Sequence, residues 1–303
     1  MTTVIKDRDY LKASSWEEIF EAQAYTNAID STKEKLKEII GKYDFPTMEK
    51  CGLANCGTRH NKGYVVRTAS GQLTNLGHFC GRKHFGVEFE NLSRQFDRVY
   101  KDYQARERIN DFRIHYAEYL AKSEIIEDTY GSIDFAYRMQ QFFSKTSKGC
   151  HPLILEALKR MVRNRNPNIY KTISIDQAEY DLLESSGQKN PSRFKQTAVD
   201  SINGLPFIYV ENDLRIYAQE FKTPFNDLLT LNLDTLTSKQ LDMWSKKIGG
   251  FNGVLDRIEE IMSYSQQFCN SSNILKFIHF MPNAHKEFRQ FLNCLKTNFG
   301  LKT

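Results

Sequence analysis

The sequence predicts a mainly α-helical protein: a multi-helix body carrying one embedded β-hairpin zinc module of treble-clef or ribbon-like form. Three observations point there. Apolar residues recur at steps of three and four through most of the 303 residues. One stretch, from Cys51 to Gly86, gathers three of the six cysteines and three of the seven histidines. Within that stretch the pattern changes to short β runs about a Gly-containing turn.

Taken in order, Ser15 with Glu18 three residues on forms a capping-box pattern, followed by Ile19, Ala22, Tyr25, Ile29, Leu36 and Ile40 at helical spacing. A long helix to about Tyr43, ended by Pro46, is expected, and residues 1–46 form the first segment. Residues 47–87 are the zinc module. There Gly63 to Thr68 reads as a strand, Ala69-Ser70-Gly71 as a turn, and Gln72 to Leu76 as the return strand. Residues 88–187 make a helical middle region, led by a stripe of Phe89, Leu92, Phe96, Val99 and Tyr103 that continues through Ile109, Phe112, Tyr116 and Leu120. Helices follow near 135–143 and 152–164, and Ser185 to Ser192 reads as a linker or exposed loop. Residues 188–303 are a C-terminal helical domain, with helices at 197–203, 213–221, 238–248 and 251–270 and two more divided near Pro282. A short strand at 207–210 fits the composition, and Gly249-Gly250 is placed to cap or bend a helix.

Composition narrows the class. The first residues lack the apolar run of a signal peptide, and no segment reaches about 18 apolar residues in a row. Three cysteines cluster, while Cys150, Cys269 and Cys294 lack paired spacing, a usage that suits metal binding plus buried thiols more than a disulfide framework. A soluble, cytoplasmic protein with no membrane partner is expected. With 21 Phe and 15 Tyr against 2 Trp, ring-rich cores or stacking surfaces are expected too.

Zinc takes four soft or borderline ligands in a tetrahedron, usually supplied as two pairs held by short turns. Cys51 and Cys56 make the first pair; Cys80 and His84 make the second, closing a compact loop before the next helix. His60, four residues after Cys56, is the alternate fourth ligand, and His78 a weaker one. Gly57 and Gly81 each follow a cysteine, where a bare backbone could turn its amides toward sulfur. A catalytic zinc keeps a position open for water and commonly has a carboxylate beside it; the module holds no Asp or Glu, so a structural site is expected and no catalytic residue is assigned.

Two resemblances bear on this stretch. Cys51, Cys56, Leu76, Gly77, Cys80, Gly81, Lys83, Phe85 and Gly86 are similar to the pattern Cys-x4-Cys, hairpin, Gly-x-x-Cys-Gly-x-Lys-x-Phe-Gly of a group of bacterial and prophage-encoded proteins. The likeness covers about residues 15 to 90 and implies a bacterial or phage setting without implying an activity. Asn75-Leu-Gly-His78-Phe-Cys80 resembles the C-terminal part of an HNH endonuclease module, which would imply a catalytic metal. The Asp-His or His-His pair that opens that motif is missing here, and with it the base that would activate water.

Charge supplies the partner. The net charge is +5, and the module's Arg59, Lys62, Arg67, Arg82 and Lys83 account for all of it, with no acid between Cys51 and Val87. These five are the expected nucleic-acid contacts, since Lys and Arg neutralise phosphates, with Tyr64, Phe79 and Phe85 interleaved as rings that either stack on bases or form the module's own core. A second basic stretch, between Phe135 and Ile175, includes Lys145, Lys148, Lys159, Arg160, Arg163 and Arg165. On its helix Lys159, Arg160 and Arg163 project together, as a phosphate-facing row or a solvated face. The leading expectation is a zinc-binding, non-enzymatic nucleic-acid-binding protein, in phage biology or genome defence. The alternatives are a zinc-stabilised scaffold whose basic face meets an acidic protein partner or the chain's own acids, and an HNH-like nuclease. Cys150-His151 lacks an assignable partner for nucleophilic chemistry, and His279 and His285 match no ligand spacing.

Overall fold

The computed structural model describes residues 13–144 and 150–301. The N-terminal dozen residues, and Lys145 and Lys148 of the second basic stretch, lie outside them. Helices hold 61% of the chain, so the mainly α class holds, and the remainder includes small antiparallel sheets. No described helix is long and apolar enough to cross a membrane.

The chain divides into two compact units, 1–111 with 232–245, and 112–231 with 246–303. This grouping differs from the four consecutive segments expected from sequence: one long helix, α2 (His78–Tyr130), contributes to both units, as does α7 (Ser238–Phe268).

The first unit is built on a three-stranded antiparallel sheet, β1 (Leu36–Lys50), β2 (Arg59–Thr68) and β3 (Leu73–Gly77), in that order. The hairpin β2–β3 lies where expected, with Tyr64 opposite Leu76 and Arg67 opposite Leu73. The long N-terminal helix does not form: α1 spans only Trp16–Phe20, and residues 36–50 are strand. From Gly41 to Phe45 buried and exposed residues alternate with period two, and Ile39, Ile40, Tyr43 and Phe45 are β-branched or aromatic, which suits a sheet packed on both faces. Their chance registry with Ile19 and Ile29 produced the helical spacing. Pro46 does not end a helix; it sits where the β1–β2 register is irregular, between Asp44 and Glu49, a place that tolerates a missing N–H.

Both sheet faces are covered. Ile40, Tyr43, Phe45, Val65 and Leu73 pack with Trp16 and Ile19 of α1. On the other face Ile39, Tyr64, Val66 and Leu76 pack with Phe89 and Phe96 of α2, and Cys51 and Cys80 belong to that same cluster. β3 is buried throughout because residues 24–26 and Gly52 hydrogen-bond along its free edge, through Leu73 N–H to Ala24 O and Gly52 N–H to Asn75 O.

The second unit contains α3 (Ile133–Ser144), α4 (Pro152–Asn164), a two-stranded ribbon of β4 (Asn168–Ser174) and β5 (Phe194–Ser201), and α5 (Gln177–Ser185) on the connection between them. It also contains α6 (Thr223–Thr230), the later part of α7, α8 (Ser271–Leu275) and α9 (His285–Phe299). Its core is the expected ring cluster: Phe143, Phe207, Phe268 and Phe277 are fully buried and meet at edge-on or tilted angles. Buried Gln140 ties that core to a run of short 3-10 turns, donating to the carbonyls of Phe207 and Asn212 and accepting from Leu214 N–H. Residues 197–203, expected to be helical, belong largely to β5, and the 207–210 strand is instead short 3-10 turns. Gly249 and Gly250 interrupt nothing: α7 is continuous across them.

Candidate metal centre

Cys51 follows the last residue of β1, Cys56 ends the loop that leads to β2, and Cys80 lies in the first turn of α2. The loop closes on itself through Cys51 N–H to Thr58 O (2.9 Å) and Cys56 N–H to Leu53 O (3.1 Å). Residues 29 and 52–54 then anchor it, with Ile29 N–H donating to Gly52 O and Ala54 N–H to Ile29 O. Cys80 is set against the loop by the helix, whose Gly81 lies so close to the ring of Phe89 that an added Cβ would stand 2.4 Å from it.

These elements bring the three thiols together, all sulfur atoms within 4.8 Å of one another and Cys56 Sγ 3.6 Å from Cys80 Sγ. Zn–S bonds of about 2.3 Å in a tetrahedron put sulfurs roughly 3.8 Å apart, so the donor set fits such an ion. The sulfurs are also prepared for negative charge. The Leu53 amide donates to Cys51, and the amide and hydroxyl of Thr58 donate to Cys56. Each cysteine of the loop thus receives the N–H two residues ahead, the kind of support that orients metal thiolates.

Ionisation is unevenly shared. Burial pushes the Cys51 thiol well above its ordinary range, against the pull of the Leu53 amide. Burial and then the neighbouring Cys56 raise Cys80. Burial opposes ionisation of Cys56 as well, but Thr58 and the adjoining thiols outweigh it and hold that thiol below the usual value. Ionisation of all three thiols is opposed by burial and mutual repulsion, and a cation sharing the space would relieve both.

Among the described residues no histidine nitrogen joins this group. His84 is half-buried one helical turn beyond Cys80, with Nδ1 3.3 Å from Ser31 Oγ. The 80–84 segment is helical, not a loop; the break comes at Gly86, whose φ of 57° a side chain rarely adopts. His60 is committed elsewhere: Nε2 accepts from Gly77 N–H at 3.0 Å, which leaves Nδ1 to donate to the Tyr43 hydroxyl at 2.9 Å. Burial lowers its pKa, consistent with a neutral ring. His78 is exposed at the start of α2, its ring against Tyr64 and Phe89.

The five basic residues are more engaged than the module's own composition suggests. Lys62 pairs with Asp44 at 2.9 Å, Arg67 with Glu38 at 2.9 Å and Arg82 with Glu90 at 3.3 Å, while Arg59 donates to Met48 O. Two of the acids come from β1, which the expected helix had placed apart from the hairpin. Lys83 is exposed and has no ion pair among the described residues. The rings also exchange roles. Tyr64 is buried, with its hydroxyl on Asp97, Phe85 packs against the core, and Phe79 is 73% exposed.

Sequence reasoning missed Ser31, Thr58 and Leu53. The last two act through backbone amides that no residue-type pattern reveals, and Ser31 reaches His84 across 53 positions. Burial pushes the Cys150 and Cys269 thiols up to about 12, and His151 caps α4 by accepting from Leu153 N–H. His279 lies 3.9 Å from Asp200. No family model, no curated protein and no solved structure matches the chain.

Proposed function

We propose that Cys51, Cys56, Cys80 and His84 hold one zinc ion as a structural centre of treble-clef type, and that the protein acts by binding nucleic acid rather than by chemistry. The observation that carries the metal assignment is the convergence of three thiols, two of them amide-supported, from a loop and a helix start. His84 is the natural fourth ligand. It lies one turn from Cys80, and a ring whose Nδ1 donates to Ser31 keeps Nε2 for the metal. Three thiolates and an imidazole complete a tetrahedron, which leaves no position for water and gives the ion a clamping role between loop, sheet and helix.

For nucleic acid, Arg59 and Lys83 are the residues of the five without a carboxylate partner among the described residues. Lys62, Arg67 and Arg82 pair on the surface, where such bonds contribute about 0–1 kcal/mol, so a phosphate could replace the partner. Affinity for an oligonucleotide should fall steeply with salt, and reversing Arg59 and Lys83 together should weaken it about tenfold and flatten the salt slope. Binding unaltered by that double reversal would remove the module from the interface.

A protein scaffold is the second reading, favoured by the internal ion pairs and by Phe79, 73% exposed in the first turn of α2 next to Cys80, and Val87, 71% exposed just past the break at Gly86. In that case Phe79→Ser would abolish partner capture while the charge reversals would not. A nuclease reading has less support. Asn75 is fully buried, donating to Lys50 O and accepting from the Tyr25 hydroxyl, so it cannot turn toward a substrate.

A further inference from the structure

The second unit contains a polar groove of about 680 Å³ that the metal centre does not use. One wall is α4, presenting Arg160 and, a turn later, Asn164; the facing wall is the β4–β5 ribbon, presenting Tyr170 and Gln196; His279 and Phe280 close one end. Its floor is apolar, with Ala157, Met161 and Ile169 all buried.

The charge of this groove differs from that of the module. Arg160 lines the groove, and Lys159 and Arg163 are exposed beside it on α4 without lining it; none of the three has an ion pair among the described residues. Glu156 is the one carboxylate lining the groove. Asp200, next to His279, is already neutralised by Lys276 at 3.0 Å. Arg165, by contrast, is consumed by Glu211 and the ring of Tyr209.

The ribbon wall adds rings and amides in register. Directly paired residues share a face, so Thr172, Ser174 and Phe194 continue, beyond the groove, the ribbon face on which Tyr170 and Gln196 line it. The opposite side carries Lys195, which binds Glu179 of α5. Tyr170 and Phe194 are 45% and 61% exposed, and four residues at about 3.3 Å put them roughly 13 Å apart along the ribbon. The amides of Asn166 and Asn168 both donate to the Tyr170 oxygen, which fixes the ring and leaves its hydroxyl hydrogen free to donate.

The geometry points to a nucleotide-binding groove that takes single-stranded nucleic acid, with α4 cations on phosphates, Tyr170 and Phe194 as stacking platforms, and Asn164 and Gln196 on base edges. Rings stack on any base, amide side chains both donate and accept as base edges require, and unpaired guanidinium and ammonium groups suit a phosphate track. Two ring platforms separated along one ribbon face suit two bases of one strand, about two nucleotides apart, better than one free nucleotide. This groove belongs to the second unit, so it extends the nucleic-acid reading to a second site and does not depend on the module's cations or on zinc.

The test uses the full chain, fluorescence anisotropy and labelled dodecamers of uridine and thymidine, with unlabelled uridine monophosphate as competitor. Wild type should bind a strand with affinity that falls as salt rises from about 50 to 200 mM. Arg160→Glu, Tyr170→Ala and Phe194→Ala should each weaken binding, the ring variants by roughly 5- to 150-fold apiece, while Arg59→Glu with Lys83→Glu leaves the groove's contribution intact. Competition by the monophosphate at the same concentration as the strand would assign the groove to a free nucleotide. As a check independent of variant folding, a 4-thiouridine strand cross-linked to wild type should label peptides containing Tyr170, Phe194 or Phe280. Absence of strand and nucleotide binding, undiminished binding by the groove variants, or cross-links confined to 51–90 would each overturn the proposal.

Discussion

Replacing Cys51 with serine tests the metal centre at a deeply buried ligand. The side chain is 3% exposed, within a cluster that includes Leu53, Leu76, Cys80 and Phe89. Serine is nearly isosteric, so the packing change is small, but its hydroxyl does not ionise near neutral pH and cannot replace a thiolate. Structural zinc sites supply an apparent 10–16 kcal/mol at neutral pH, which over four ligands is roughly 3–4 kcal/mol each, or two to three decades in zinc affinity. The variant should lose zinc to a chromophoric chelator at concentrations that leave wild type loaded. Hydrogen exchange should then rise in residues 51–58 and 78–90, the segments the ion joins, and stay unchanged in the ring core around Phe143, Phe207 and Phe268. Wild-type zinc affinity in Cys51→Ser, or exchange that rises equally in both units, would refute the reasoning.

Three other outcomes follow from particular contacts. Gly81→Ala places a methyl 2.4 Å from the buried Phe89 ring, so overpacking of about 1–3 kcal/mol should outweigh the helix-propensity gain of about 1 kcal/mol; denaturant titration should show net destabilisation, partly relieved by Phe89→Leu. Burial depresses the His60 pKa, so the folded state excludes a proton that the unfolded state accepts near 6.5; this stabilisation is present above that pH and is lost on acidification, and an NMR titration should find His60 still neutral at pH 6.5. Zinc binding must strip protons from Cys51 and Cys80, whose thiols lie above the ordinary range, so zinc affinity should climb with pH through neutrality and at least two protons should appear in the buffer per ion bound.

The residue types at the centre were legible because cysteine spacing is a local signal: Cys51 and Cys56 lie on one loop, and the Gly63–Leu76 hairpin delivers Cys80 to them. The acids that answer the module's cations were not legible, because Glu38 and Asp44 belong to a strand whose Ile39, Ile40 and Tyr43 fall by coincidence at helical spacing from Ile29 and Leu36. Period-two alternation was present from Gly41 to Phe45 but covers only five residues, too few to outweigh a longer apparent helix. The same weakness hid β4 and β5. Their residues are mostly exposed on both faces, so no buried stripe marks them, and their pairing joins residues up to 33 positions apart, as in Asn168 with Ser201. Long helices such as α4 and α7 were recoverable because each buries a continuous stripe.

The central claim, that one zinc ion is held by three thiolates and one imidazole, is tested most directly by zinc-edge X-ray absorption on the purified protein with its metal content measured in the same sample. One zinc per chain is expected, with three sulfur neighbours at about 2.3 Å and a single nitrogen at about 2.0–2.1 Å that is lost in His84→Ala. Substoichiometric metal, or a shell unchanged by that substitution, would contradict it.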